Sequence, residues 1–458
     1  MKLNAAEVRD DLAAAGPVGA AGCDAGTIFD GVSTDSRDDV RGRLFFALSG
    51  EKFDAHAFVP DVVARGAAGV VVRQAAFDTL PAGAYARFGV ADPLAALQQV
   101  AQGSLRRHRP NVVAITGSNG KTTTKDLTVA ALGSAGRVHG TRGNLNNHIG
   151  VPLTVLARQG DEAYLVAEAG ASDFGDLDLL SRILAPDVVV ITNIGRAHLE
   201  KFGSQDGVFR AKSELLVALR PGGTAVLCAD DPYFPQLVAR AGAARVLSFG
   251  FAPVADVRVE MVRPLDPARQ ELTVRGTTFV LERPGRGNAT NAAAALAVAL
   301  HFGLDLEAAA GALSQCVFTG QRSAWSRHGA IDVLDDTYNA NPDSMALAIE
   351  LLAARPGRRI AVLGDMLELG TNAAALHAQV GAQVAAARIE VFLGFGPAMA
   401  HAVESAGRAG VQARHFTDAG ALVAALQALV QPGDAVLVKG SRGSRMERVV
   451  QALAVGVV

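Results

Sequence analysis

The stretch from Asn111 to Thr128, NVVAITGSNGKTTTKDLT, constrains this chain more than any other. Val112, Val113 and Ile115 form an apolar, β-branched run that reads as a buried strand. Gly117 and Gly120 break it, Lys121 follows with Thr122, Thr123 and Thr124, and a helical pattern begins. Strand, glycine turn, lysine, threonine, helix is the grammar of a phosphate-binding loop. Across Gly117-Ser118-Asn119-Gly120 backbone N–H groups can approach an anion, Lys121 can reach the terminal phosphates, and a threonine hydroxyl can hold Mg²⁺. An ordinary strand-turn-helix corner with a surface lysine is the bland alternative. The loop is shorter than the general pattern: two residues separate Gly117 from Gly120-Lys121, where four are usual. That shortening points to a particular branch of nucleotide-dependent enzymes.

Composition narrows the rest. A chain of 458 residues suggests about two to four domains at ~100–200 residues each. Half the residues are apolar, enough for a large core, and a formal net charge of −2 without long runs of one sign gives no electrostatic case for nucleic acid or a membrane surface. Cys23, Cys228 and Cys316 are scattered. They form neither a metal spacing nor a disulfide framework, as expected of a reducing cytoplasm. Glu7, Asp10 and Asp11 precede any long apolar run, so no signal peptide is read, and no apolar run reaches the ~18 residues of a membrane span.

Up to about Arg109 short strands and helices alternate. Here Ser33-Thr34-Asp35-Ser36-Arg37 reads as a solvated turn or cap, or as a diphosphate or sugar contact built from hydroxyls and one arginine. His56 alone reads as structural. After the phosphate loop, the amide-rich loop Asn144 to His148 suits either a polar ligand or a hydrogen-bonded turn. A strand from Ala163 delivers Glu168 at its end, and another from Asp187 to Ile191 leads to Thr192-Asn193-Ile194-Gly195-Arg196-Ala197-His198. Ligands of open α/β sheets gather at strand C-termini, so Glu168 and His198 fall where a Mg²⁺-nucleotide would lie. Lys212, on a helix starting near Asp206, is by default a surface lysine paired with an acid. Asn288 reads as a helix cap, with Asn291 nearly on the same face one turn on; two such amides could also read an adenine edge. From Ser323 onward, strands at Ile331, Arg359, Glu390 and Asp434 alternate with helices, which argues a doubly wound parallel sheet. Polar clusters follow its strand ends, and Pro342 reads as a helix start.

These residues resemble the Mur ligases along almost the whole chain and in the family's order. The match comprises SerThrAspSerArg at 33–37, ThrGlySerAsnGlyLysThr at 116–122, AsnLeuAsnAsn at 144–147, GluAlaGlyAlaSer at 168–172, ThrAsnIleGly with AlaHis at 192–198, and AlaLysSerGlu at 211–214. It continues with AspAspThrTyrAsnAlaAsnProAspSer at 335–344, GlyAspMetLeuGluLeuGly at 364–370 and LysGlySerArg at 439–442. The resemblance implies an α/β chain of three domains: a UDP-substrate domain over 1–109, a central P-loop ATPase over 110–321 and a C-terminal Rossmann-like domain over 322–458. It implies ATP and Mg²⁺, a cytoplasmic monomer, and an acyl-phosphate route to an amide bond. The TyrAsnAlaAsnPro and GlyAspMetLeuGluLeuGly stretches resemble the branch that joins D-alanyl-D-alanine to UDP-N-acetylmuramoyl-tripeptide.

The resemblance also implies roles. Thr34, Asp35, Ser36 and Arg37 would meet the uridine-diphosphate end; Gly117 to Thr123 would cradle the ATP phosphates, with Lys121 on the terminal ones. Thr122, Glu168 and His198 would serve Mg²⁺. Lys212 would be carbamylated and support a second Mg²⁺. Asn288 and Asn291 would hold adenine. Asp336, Tyr338 and Asn339 would lie near the nucleotide and the dipeptide, and Asn146 near the substrate. Lys121, His198 and Lys212 would be the catalytic set. Three positions depart from the pattern: Gly287 stands where a histidine is expected before Asn288, Ala55 where a glycine is expected before His56, and Asp176 where a glutamate is expected. The rivals are another ligase of the superfamily, a folylpolyglutamate synthase, or a non-catalytic nucleotide switch.

Overall fold

In the computed structural model all residues are described except 15, 23, 25, 51–52, 81–82, 320–323 and 457–458. Cys23 and the boundary expected between residues 321 and 322 therefore lie outside the described residues.

Three sheets with strong parallel character follow one another along the chain. The first has five strands in the order Gly19–Ala21, Ala86–Val90, Gly69–Arg73, Leu44–Phe46, Val32–Ser33, parallel except for the first. The helix Pro93–Arg107 leads out of it. Asp92 caps that helix by accepting from Leu94 N, and Pro93 occupies its first turn. Its buried face of Ala96, Leu97, Val100 and Ala101 joins a core shared with Val112, Ala114, Leu165 and Ala167 of the second sheet. The first two lobes are thus fused through one apolar core.

The second sheet has nine strands, with Asn111–Thr116 between Val188–Ile191 and Tyr164–Glu168 and parallel to both. These central strands are buried on both faces, which is why they read as unbroken apolar runs. In register, Glu168 lies opposite Ile115 and Ile191 opposite Thr116, so three strand C-termini open on one edge. The helices Lys121–Gly133 and Arg286–His301 cover the other face of this sheet, the second through an almost continuous row of buried alanines.

The third sheet runs Ala324–His328, Ile331–Asp336, Ala435–Lys439, Arg359–Gly364, Val391–Phe395, Gln412–Phe416. It is the expected doubly wound parallel sheet, with an antiparallel strand added at the edge. The chain passes from Ile331–Asp336 to Arg359–Gly364 over the place later filled by Ala435–Lys439. Asp336 and Lys439 therefore end up side by side in register. The buried residues of both cores on this sheet come from residue 331 onward, so this lobe packs on its own.

Candidate active site at the phosphate loop

Gly117 adopts φ +145° and Gly120 φ +80°, conformations that turn the strand into the helix. Side chains are also excluded by space: a Cβ on Gly117 would overlap Thr192 Oγ1, and one on Gly120 would lie 2.5 Å from Asn291 Oδ1. The loop is clamped by residues 192–195. Ser118 N donates to Asn193 O at 3.0 Å, Asn119 N to Asn193 Oδ1 at 3.0 Å, Thr192 Oγ1 to Asn119 O at 2.6 Å and Gly195 N to Ser118 Oγ at 2.9 Å. Asp231, buried, accepts from Ile194 N at 2.6 Å and steadies the clamp. Lys121 leads the helix and donates from Nζ to Gly117 O at 2.7 Å, so its ammonium sits at the mouth of the loop.

Beside it, Thr122 Oγ1 donates to Glu168 Oε2 at 2.7 Å and Asn146 Nδ2 to Glu168 Oε1 at 2.9 Å. Glu168 is 2 % exposed, so burial demands these partners. Lys212 departs from the surface lysine expected. The helix Gln205–Ser213 presents it inward, and it is 1 % exposed among Lys121, Asp176, Glu214 and Glu168. Burial, followed by the Lys121 charge, brings its ammonium down to a pKa of about 7. A good fraction of neutral amine is then present at neutral pH. His198 has φ +55°, a strained conformation for a residue with a side chain, and its Nδ1 pairs with the Glu368 carboxylate. Burial and then Lys212 hold its pKa below the usual imidazole value. With Nδ1–H donating to Glu368, Nε2 remains an acceptor.

Asn288 is not the helix cap. The helix starts at Arg286 behind Gly285, and Asn288 Nδ2 donates to Pro284 O at 2.7 Å from within the first turn. Asn291 accepts from Thr124 Oγ1 at 3.2 Å and so touches the phosphate-loop helix directly. At Gly287 a Cβ would lie 3.4 Å from Leu347 Cδ1 of the helix Pro342–Ala353, so the third lobe borders the place of the expected histidine.

The third lobe reaches the loop through the start of that helix. Asn341, its N-cap, donates from Nδ2 to Asn119 Oδ1 at 2.8 Å. Asp336 is held by Lys439 Nζ at 2.5 Å, and the same ammonium donates to Asn339 O at 2.8 Å. Tyr338 lies under the Arg442 guanidinium, 5.8 Å from its ring centroid.

The turn at 33–37 stands apart. Ser33 Oγ donates to Asp38 Oδ2 at 2.9 Å and Arg37 Nη2 to Asp35 Oδ2 at 2.5 Å, while Arg65 holds the carbonyls of Ser36 and Asp38. The Arg37 hydrogen bonds bring Asp35 down to a pKa of about 2. Thr34 and Ser36 are half-buried beside it. The helix Gly150–Leu156, which follows the Asn146 loop, packs against the strand carrying this turn.

Lys121, Thr122, Glu168, His198, Lys212 and Asn146 thus converge on one edge of the central sheet, with Asn291 behind the loop, and the Asp336–Asn341 segment reaches the loop through Asn341 on Asn119. Sequence reasoning assigned nothing to Asn193, Arg196, Asn341 or Glu368. The only signal for them was their place in polar clusters after strands. Among the described residues no three His, Cys, Asp or Glu side chains converge as a metal cage. A threonine hydroxyl beside one carboxylate is nevertheless a donor set that suits Mg²⁺ carried on phosphates, because Mg²⁺ keeps few protein ligands.

The Mur ligase middle domain matches residues 115–299, and the Mur ligase, glutamate ligase domain matches residues 321–442. The UDP-N-acetylmuramoyl-tripeptide–D-alanyl-D-alanine ligase of Bacillus subtilis strain 168 is 37% identical over 434 residues, which are 93% of each chain. MurF from Acinetobacter baumannii superposes with a TM-score of 0.91 at 32% identity over 99% of both chains. The MurF ligase of Thermotoga maritima, crystallised in complex with ADP, superposes with a TM-score of 0.81 at 28% identity, over 92% of this chain and 96% of that one.

Proposed function

This chain belongs to the Mur ligase family, and from that premise we propose that it joins D-alanyl-D-alanine to UDP-N-acetylmuramoyl-tripeptide at the expense of ATP. The observation that carries this reading is the meeting of two half-sites: the phosphate loop with Lys121, Glu168, His198 and Lys212, and the Asp336–Asn341 segment docked onto Asn119. The domain limits proposed are 1–109 for the UDP end, 110–321 for ATP and 322–458 for the incoming dipeptide. A cytoplasmic monomer is part of the same reading; among the described residues no helix is long and apolar enough to cross a membrane.

The chemistry follows from the residue types. A carboxylate is a poor electrophile at neutral pH. Its oxygen takes the γ-phosphoryl group of ATP, ADP departs, and the acyl phosphate carries a good leaving group. The dipeptide amine attacks the acyl carbon, the tetrahedral intermediate collapses, the amine proton is lost and phosphate leaves. Lys121 neutralises charge on the transferring group. Thr122 and Glu168, oriented by Asn146, would hold Mg²⁺, which supplies further charge neutralisation on the phosphates. Lys212, neutral in part near pH 7, is suited to add to CO₂ with loss of a proton, and the resulting carbamate would support a second Mg²⁺ beside His198. Asn288 and Asn291 would meet adenine, Thr34 to Arg37 the UDP end, and Asp336, Tyr338 and Asn339 the nucleotide and dipeptide. Docking of the third lobe keeps the acyl phosphate from water. Replacing Lys121 by alanine tests the reading: ligation is lost while the chain stays folded, and turnover like that of the wild type would sink it.

A further inference from the structure

The third lobe meets the central one with little apolar adhesive. Its buried cores contain only its own residues, and Leu199 is the one central-lobe side chain packed against them among the described residues. Polar contacts must therefore fix how it sits, as between domains that move. One contact is far denser than the rest. Arg196, at the end of the clamp, donates to Asp343 three times: from its backbone N at 2.7 Å to Oδ2, and from Nε at 3.0 Å and Nη2 at 2.7 Å to Oδ1. Its remaining Nη1 donates to Gln379 Oε1 at 3.0 Å, so one guanidinium binds two helices of the third lobe. The approach is close enough that a Cβ on Gly195 would lie 2.6 Å from Asp343 Oδ2.

We infer that Arg196 and Asp343 form the strut that seats the third lobe on the phosphate loop, and that they are positioning residues whose loss falls more heavily on amide formation than on nucleotide binding. Arg196 is one residue beyond Gly195, whose N–H bonds Ser118 of the loop. Asp343 is two residues beyond Asn341, which bonds Asn119 of the same loop. Fixing this pair therefore fixes the Asp336–Asn341 segment against the phosphate loop. Neither side chain bonds Lys121, Thr122 or Glu168, so the phosphate loop keeps its own part of the nucleotide site without them, and the strut bears on the nucleotide only through the third-lobe segment it seats. A fork-to-carboxylate pair gives direction as well as attraction, which a lysine cannot reproduce in full.

The inference rests on the proposed ligase reaction, so the wild type is assayed alongside. Arg196→Ala, Asp343→Ala, the double variant and Arg196→Lys are compared for ADP affinity, kcat for amide product, and phosphate released per amide formed. The expected result in Arg196→Ala is kcat lowered at least tenfold, with a loss of ADP affinity several times smaller than the loss of kcat. Phosphate per amide should rise above one as the acyl phosphate meets water. The double variant should be no worse than either single one, and Arg196→Lys should recover part of the loss. X-ray scattering with ADP bound should show a larger radius of gyration for Arg196→Ala, which also tells a displaced lobe from an unfolded one. Wild-type kcat and wild-type coupling in Arg196→Ala would overturn the strut. So would additive losses in the double variant. Absence of dipeptide-dependent product from the wild type would instead overturn the ligase reading.

Discussion

Thr122 Oγ1 donates to Glu168 Oε2 at 2.7 Å, joining the first turn of the phosphate-loop helix to the end of the neighbouring strand. Both groups are almost wholly buried, yet they sit at the strand edge where the loop opens. A hydroxyl and a carboxylate held together there form a preset pair for a hard cation.

Replacing Glu168 by glutamine keeps an acceptor for Thr122, removes the charge, and turns an amide N–H toward Asn146, whose own amide can flip to accept it. The expected outcome is a steep rise in the Mg²⁺ concentration needed for turnover and a fall in kcat of about 10²-fold or more, on the scale of losing one charge-stabilising group. Unfolding by urea should change little by comparison. Phosphate release titrated with Mg²⁺ measures this, and an unchanged Mg²⁺ dependence would remove Glu168 from the metal site.

Lys212 gives a pH signature in metal-free, CO₂-depleted protein. In the unfolded chain its ammonium keeps its proton to about pH 10.4, whereas in the fold burial brings the pKa to about 7. Between those values the unfolded state binds the extra proton, so stability rises with pH there and this contribution is flat below pH 7. Urea midpoints at a series of pH values, wild type against Lys212→Met, isolate it: the variant should lack that rising contribution. Parallel curves would mean that Lys212 is not held in the buried setting described.

The two asparagines of the helix Arg286–His301 should behave differently. Asn291→Ala leaves the buried hydroxyl of Thr124 without its acceptor, a loss of about 1–3 kcal/mol. Asn288 bonds only the half-buried Pro284 carbonyl, so Asn288→Ala should cost under about 1 kcal/mol. If both asparagines hold adenine, both variants raise KM for ATP. Denaturation and ATP kinetics on the same pair of proteins separate structural loss from loss of base contact.

Much of the site was legible because parallel sheets put their chemistry at strand ends. The β-branched run before Gly117, the acid ending Tyr164–Glu168 and the polar segment after Val188–Ile191 all declared themselves in that way. Two local readings failed for local reasons. Lys212 looked like a surface lysine because helical spacing does not reveal that its helix turns it inward, beside Lys121, Asp176, Glu214 and Glu168. Asn288 looked like a cap because cap preference does not say that Gly285, at φ +100°, already ends the preceding segment. What no local pattern holds is the docking of the third lobe. Asn119 and Asn341 are 222 residues apart, Arg196 and Asp343 147, His198 and Glu368 170. Asn341 alone of these six satisfies a local cap rule, and only the assembled sheets bring each side chain to its distant partner.

The central claim is tested most directly by incubating the protein with Mg²⁺-ATP and UDP-N-acetylmuramoyl-tripeptide, with and without D-alanyl-D-alanine, reading phosphate release and product mass together. The account predicts phosphate release that depends on the dipeptide and a single product whose mass equals the sum of the two substrates less one water. Turnover with a different acyl acceptor or a single amino acid in place of the dipeptide, or nucleotide binding without turnover under any pairing, would contradict it.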